Sequence, residues 1–323
     1  MTPLKRLRLF ATAPTPMAGL ALGIGSLGWC WESAGDFHGW MQSGAAALAA
    51  VLLLILTLKF LCQPRLLLDD LAHPVVGSVV PTFAMATMVV SRALGLHAPA
   101  LGAGLWLFAV MLHLAFLTTF LWHRSRAFEL HHMVPSWFVP PVGIIVACVA
   151  TPGGVWLGLS QWLLWLGIIS YAILLPWMLY RLMFSHEVPD AAKPTIAILA
   201  APASLSLAGY LTVIHQPDPV LVALLFGIAV LMTAVIYLAF IKLLRLPFSP
   251  GYAAFTFPMV IGATAQFKTA HLLSGAGFSA SIVEQVQWLA ELELIVATLV
   301  VSYVAVRYLG FYLPRMLTRT QPA

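Results

Sequence analysis

Apolar runs long enough to cross a bilayer recur from residue 14 to residue 310, joined by short connections. An α-helix rises ~1.5 Å per residue, so a hydrocarbon core of ~30 Å is crossed by ~20 apolar residues. Ten such spans can be drawn, at about 14–34, 43–62, 74–95, 99–122, 134–151, 156–182, 194–214, 219–244, 248–270 and 286–310. In lipid the backbone must satisfy its own hydrogen bonds, and runs of this length do so as helices. The chain is therefore expected to be an all-α polytopic membrane protein. Composition excludes the soluble alternative: 8% of side chains are charged and 61% hydrophobic, against roughly 25% and about 45–50% in soluble domains. A single transmembrane domain is expected over residues 1–323, with short termini at 1–13 and 311–323.

Other classes fall on the same grounds. A formal charge of +5 would suggest nucleic acid only if the basic residues clustered away from membrane spans, and they do not. Cys30, Cys62 and Cys148 lie far apart in or beside apolar runs, which fits neither a metal pair nor a disulfide framework. There is no phosphate-binding glycine loop, no HExxH and no nucleophile elbow, so no enzyme activity, cofactor or metal is expected. Lys5, Arg6 and Arg8 precede the first span as in a signal peptide, but its prolines and the missing small-residue cleavage pattern favour a retained helix.

Positive charge sets the expected orientation. With ten spans both termini share one side. Lys5, Arg6, Arg8, Lys59, Arg65, Arg124, Arg126, Arg181, Lys193, Lys242, Arg245, Arg307, Arg315 and Arg319 fall there, and only Arg92 and Lys268 fall opposite, a split of 14 to 2. Lysine and arginine accumulate in cytoplasmic loops, so both termini are expected in the cytoplasm.

The odd-numbered spans differ from the even ones. Each odd span carries a proline, at Pro16, Pro81, Pro140, Pro202 and Pro258, spaced by 65, 59, 62 and 56 residues, about one helical hairpin each. Glycine, alanine or serine lies near four of these prolines: Gly19, Gly143, Ala201, Ser204 and Gly262. Proline removes a backbone donor and kinks a helix, which is tolerated where the helix faces protein or a water-filled passage. Small residues let helices approach closely. Odd helices are thus expected inside and even helices against lipid, with the five inner helices in a pseudo-fivefold ring around an axis.

Several stretches then resemble one family. The run Pro135-Ser-Trp-Phe-Val-Pro-Pro-Val-Gly143 resembles the fifth-helix signature of the tellurite-resistance/dicarboxylate transporter (TDT) family, which includes bacterial TehA and plant slow anion channels. Phe248-Ser-Pro-Gly-Tyr-Ala-Ala-Phe-Thr-Phe-Pro258 is similar to its ninth helix. Asp70-Leu-Ala-His-Pro74 with Pro81-Thr82, and Lys193-Pro-Thr with Ala201-Pro202 and Tyr210, are similar to its third and seventh. The resemblance implies ten helices as five helical hairpins, with the inner odd helices lining a central pore, a homotrimer with one pore per subunit, and a pore-occluding phenylalanine at Phe257. Counted at ~1.5 Å per residue from residue 248, Phe257 lies ~13 Å deep, near the midplane. Phe255 competes for that role; two positions turn it ~200° around a helix, so both cannot face the pore.

Few other residues carry chemistry. Glu291 and Glu293 enter the tenth span two positions apart, so at most one faces a partner, and packing is the expected role. His113 in the fourth span is expected to be a hydrogen-bonded packing residue. His123, Arg124, Arg126, His131 and His132 cluster around one loop and are expected to be solvated rather than metal-binding. Trp156, Trp162, Trp165 and Trp177 are expected to anchor at the membrane interface. Arg92 and Lys268 end two inner helices on the outer side, where they either concentrate anions at a pore mouth or snorkel to the interface. The expected function is an anion channel or channel-like transporter in an inner membrane, passing small inorganic or organic anions. The alternative is a proton-coupled carrier for C4-dicarboxylate, sulfite or tellurite-related oxyanions.

Overall fold

The computed structural model describes residues 12–318, with side chains to residue 312. Lys5, Arg6, Arg8 and Arg319 lie outside the described residues, as does the side chain of Arg315. Among the described residues there is no strand. The helices are α1 (Met17–Ala34), α2 (Trp40–Cys62), α3 (Pro64–Ala72), α4 (Val76–Val79), α5 (Thr82–His97), α6 (Pro99–Arg126), α7 (Val139–Val142), α8 (Val146–Val149), α9 (Leu157–Phe184), α10 (Ala201–Val213), α11 (Pro219–Leu243), α12 (Thr256–Gly275) and α13 (Ala280–Thr318). Short 3₁₀ helices precede several of them, at Pro135–Phe138, Asp190–Ala200 and Pro250–Phe255.

Among the described residues seven segments are long and apolar enough to cross a membrane: Trp40–Cys62, Val76–His97, Pro99–Arg126, Gly154–Phe184, Asp190–Val213, Pro219–Leu243 and Ala280–Tyr312. The other three expected spans, at α1, at Pro135–Val149 and at α12, fall short for a physical reason. α1 and α12 are rich in glycine, serine and threonine, and α12 also carries Gln266, Lys268 and His271. The fifth is interrupted, alternating between 3₁₀ and α-helical turns from Pro135 to Val149. Segments enclosed by protein do not need the hydropathy that lipid demands.

Burial separates two classes of helix. In the central windows of Asp190–Val213 and Val76–His97, 78% and 61% of residues are buried, against 28–39% in the other five segments. Leu54, Phe108, Ile169, Leu231 and Leu299, one from each of those five, are large apolar side chains left exposed. The more buried segments pack on one another: α1 on α5 and α12, α10 on α12 and α8, and α8 on α5.

The prolines sit where the local structure changes. Pro16 and Pro81 are the N-caps of α1 and α5, while Pro140, Pro202 and Pro258 occupy the first three positions of α7, α10 and α12. The expected kink inside a continuous helix is therefore a helix start. A missing N–H costs little there, because the first-turn donors have no partner within an α-helix.

Two devices fix the ends of these segments. Lys59, 6% exposed, donates from Nζ to the Ala13 carbonyl at 2.9 Å and to Thr15 Oγ1 at 3.0 Å, and lies 3.9 Å from Asp70 Oδ2. Thr15 Oγ1 donates to that carboxylate at 2.5 Å, so the start of α1 is clasped to α3. Arg124 donates to the Ala72 carbonyl at 2.6 Å, and Arg181 to the carbonyls of His186 at 2.5 Å and His131 at 3.3 Å. All three cations are buried and tie loops together, which for Arg124 differs from the solvated loop charge expected of it.

Candidate functional site

A cavity of about 160 Å³ lies among the buried segments. Its wall takes residues from each of the five proline-bearing segments: Pro16 and Gly19, Thr82 and Met85, Val139 and Gly143, Ala201 and Pro202, and Phe257 and Pro258. Pro81 and Pro140 are buried behind it and do not line it directly. The lining is almost wholly apolar, and no charged side chain contributes to it.

A second, smaller cavity of about 20 Å³ continues from the first, lined by Ser26, Trp29, Val89, Val146, Val149, Leu205, Phe257, Ile261 and Thr264. Phe257 and Leu205 are the two residues common to both walls. They form the partition between the cavities. Leu205 escaped the sequence reading, although it lies three positions beyond Pro202 and hence on the same helix face.

Phe257 and Phe255 separate as helix geometry requires. Phe257 is 7% exposed and faces both cavities. Phe255 is 0% exposed and packs its ring against Phe240 at 5.4 Å and Tyr252 at 4.8 Å. The run Pro250–Phe255 is 3₁₀. Five steps at ~2.0 Å and two at ~1.5 Å put Phe257 ~13 Å beyond Pro250, against ~10.5 Å for a uniform α-helix.

α1 reaches the partition closely enough to need glycine. A Cβ on Gly23 would stand 2.4 Å from Thr256 Oγ1 and 3.3 Å from the Phe257 nitrogen. Thr256 Oγ1 itself lies within hydrogen-bonding distance of the Gly19 carbonyl, 3.1 Å, and the Ala253 carbonyl, 2.7 Å. The backbone that carries Phe257 is thus pinned to α1.

Beyond the smaller cavity, the Arg92 guanidinium lies 5.9 Å from the ring centre of Trp29, and Lys268 faces Arg92. The two cations share one end of the molecule. His113 is fully buried on α6, and its Nε2–H donates to the Pro140 carbonyl at 2.8 Å, which is the packing role expected of it. Glu293 is 1% exposed, while Glu291 accepts from Gln287 at 3.4 Å on the surface, so the two carboxyls do point apart.

Glu129 joins His131 and His132 in one exposed group whose ligand atoms lie within 4.8 Å of one another, a juxtaposition the sequence reading missed in the acid. Trp162, Trp165 and Trp177 are exposed, whereas Trp156 stacks against Trp106 at 5.8 Å and is a packing residue.

Two cavities that share Phe257 and Leu205 in their walls thus lie inside an all-helical bundle. The family model described as voltage-dependent anion channel (SLAC1) matches residues 14–309. The chain belongs to this family. It is the same family, TDT, that the sequence resembles, and it makes the chain a multi-pass membrane protein. Two relatives from Methanocaldococcus jannaschii are similar. The uncharacterized transporter MJ0762 is 27% identical over 234 residues, covering 65% of this chain and 68% of that one. The uncharacterized transporter MJ0576 is 27% identical over 218 residues, covering 59% and 62%.

Proposed function

We propose that this protein is an anion channel that passes small inorganic or organic anions along the two cavities, with Phe257 as its gate. The observation that carries the reading is the pair of cavities that share Phe257 and Leu205 as their common wall. Ten crossings as five hairpins, with the five proline-bearing segments closing a ring around the axis, agree with the chain of packing from α1 through α5, α8, α10 and α12 back to α1. The resemblance implies a homotrimer. The charge split supports cytoplasmic termini in an inner membrane.

Anion selectivity without a lining cation needs a physical source. Peptide dipoles give a helix N-terminus a partial positive charge. The cavity wall includes Pro16 and Thr82 at the starts of α1 and α5, which begin from proline caps, whereas α7, α10 and α12 continue from 3₁₀ turns and add less. An apolar passage with few polar groups then favours weakly hydrated anions over strongly hydrated ones. Arg92 and Lys268 would raise the anion concentration at the outer end.

The test is current in reconstituted bilayers under chloride, nitrate and malate gradients, for wild type and for Arg92→Gln combined with Lys268→Gln. Reversal potentials should follow the anion gradients. The double variant should carry less current at low salt and wild-type current at high salt, because screening shortens from ~30 Å at 0.01 M to ~3 Å at 1 M. A second reading, a proton-coupled carrier for dicarboxylate, sulfite or tellurite-related anions, is favoured by the name transporter given to both relatives. Saturable flux that requires a proton gradient would replace the channel by the carrier.

A further inference from the structure

Glu293 has no part in the pore just described, yet it is buried on α13 against the helix that carries Phe257. Its Oε2 lies 2.6 Å from where a Cβ on Gly262 of α12 would stand, and Thr233 Oγ1 of α11 lies 3.5 Å from the same point. Gln266, fully buried one turn further along α12, faces the carboxyl without hydrogen-bonding geometry. Glu293 Oε2, both amide atoms of Gln266, Thr233 Oγ1 and the Tyr237 hydroxyl are all buried and unpartnered.

No lysine, arginine or histidine among the described residues lies within ion-pairing distance of Glu293. The ionisable groups that face it are Cys30 of α1 and Tyr237 of α11, while Lys268 of α12 is turned to Arg92. Unpartnered polar atoms are scarce in folded proteins, and a group of them around one carboxyl calls for an explanation.

We propose that Glu293 is a proton-binding site whose occupancy sets the position of α12, and through it the position of Phe257. The proton site stands on the buried cluster alone; its effect on current rests on the gated-pore reading.

The two protonation states favour different packing. A carboxylic acid is neutral and can remain in a low-dielectric interior with few partners, whereas an isolated carboxylate there is costly. The carboxylate is acceptor-only, and the Gln266 amide, the Thr233 hydroxyl and the Tyr237 hydroxyl are three donors with no other commitment. Recruiting them draws α11 and α12 toward α13. Gly262 offers no side chain against that movement. Phe257 is five residues from Gly262 on the same helix, ~7.5 Å along its axis. A shift of α12 toward α13 moves it off the cavity wall and withdraws the ring. Loss of the proton to water therefore opens the path, and its return closes it.

The experiment measures current and infrared difference spectra over a series from about pH 5 to about pH 9, the range spanning ordinary and buried carboxyl titration. Wild type should show current rising several-fold toward alkaline pH and a carboxylic-acid carbonyl band that disappears over the same interval. Glu293→Gln, isosteric and permanently neutral, should lack the band and carry the low current at every pH. Cys30→Ala should keep the pH response, whereas Tyr237→Phe, which removes one of the recruited donors, should keep the titrating band and shift it to higher pH. A Glu293→Gln variant with the wild-type pH response, or a wild type with no titrating band, overturns the proposal. If no variant conducts, the gated-pore reading fails instead. Amide exchange of α12 in wild type and Glu293→Gln at matched alkaline pH then decides, and equal exchange overturns the coupling.

Discussion

At the scale of single residues, two phenylalanines two positions apart do different work because the chain turns between them. Phe255 is enclosed by Phe240 and Tyr252, so its truncation leaves a cavity inside the bundle. Phe255→Ala should cost on the order of 3–5 kcal/mol of stability, as for a packed core phenylalanine. Phe257 borders a cavity on each side, so shortening it should cost less packing than shortening Phe255. Phe257→Ala should raise anion current strongly while its melting temperature in detergent falls less than that of Phe255→Ala. The comparison is current per folded protein in the two variants; equal current in Phe257→Ala and wild type removes the ring as a gate. The place of Phe257 in the cavity wall agrees with the depth counted for it, whereas nothing in the sequence marked Leu205. An aliphatic side chain in a membrane helix carries no sequence signal that separates a pore wall from a lipid-facing surface.

At the scale of elements, the helices with exposed apolar faces were legible in place, because lipid imposes length and hydropathy on them directly, although α13 begins six residues before its expected span and ends eight beyond it. α2 and α11 agree with their expected spans within three residues at either end. The proline-bearing segments were legible as a class, by spacing and small residues, but not in their local form. Nothing in Asp190–Ala200 announces eleven residues of 3₁₀ helix, which arise where proline removes donors and neighbouring helices support the tighter winding. Glycine is where sequence and packing meet again. Gly23→Ala would force a Cβ into Thr256 and the backbone next to Phe257, whereas Gly227 on α11 has nothing within 4 Å of its would-be Cβ. Overpacking costs about 1–3 kcal/mol, and the exposed helix position gains about 0.5–1 kcal/mol. Thermal unfolding should therefore show Gly23→Ala less stable and Gly227→Ala at least as stable as wild type. Gly23→Ala should also change current by displacing the start of α12, and unchanged current with lowered stability would detach that contact from the gate.

At the scale of the whole molecule, the cations sort into two groups in space as well as in sequence. Arg124 meets the end of α3, Lys59 clasps α3 to the start of α1, and Arg181 bonds the loop that carries His131. These contacts link the ends of α2, α6 and α9 at one end of the bundle. Arg92 lies over Trp29, and Lys268 is near enough to feel its charge, close to the opposite ends of α5, α12 and α1. The hydrogen bonds of the first group do not weaken its topological meaning, because orientation follows the charge of short loops during insertion and not the contacts made later. A bundle with fourteen cations expected at one end and two at the other should therefore insert with the richer end in the cytoplasm. The measurement uses a cysteine-free background, replacing buried Cys30 and Cys148 and exposed Cys62, with one new thiol at a time. Ser279→Cys, exposed between α12 and α13, should react with an impermeant reagent applied to intact cells. Arg126→Cys, exposed at the end of α6, should react only after the membrane is opened. The opposite pattern would invert the molecule and place Arg92 and Lys268 at the cytoplasmic end of the path. Labelling of both positions in intact cells would instead mean that the two lie on the same side, which an antiparallel arrangement of successive spans does not allow.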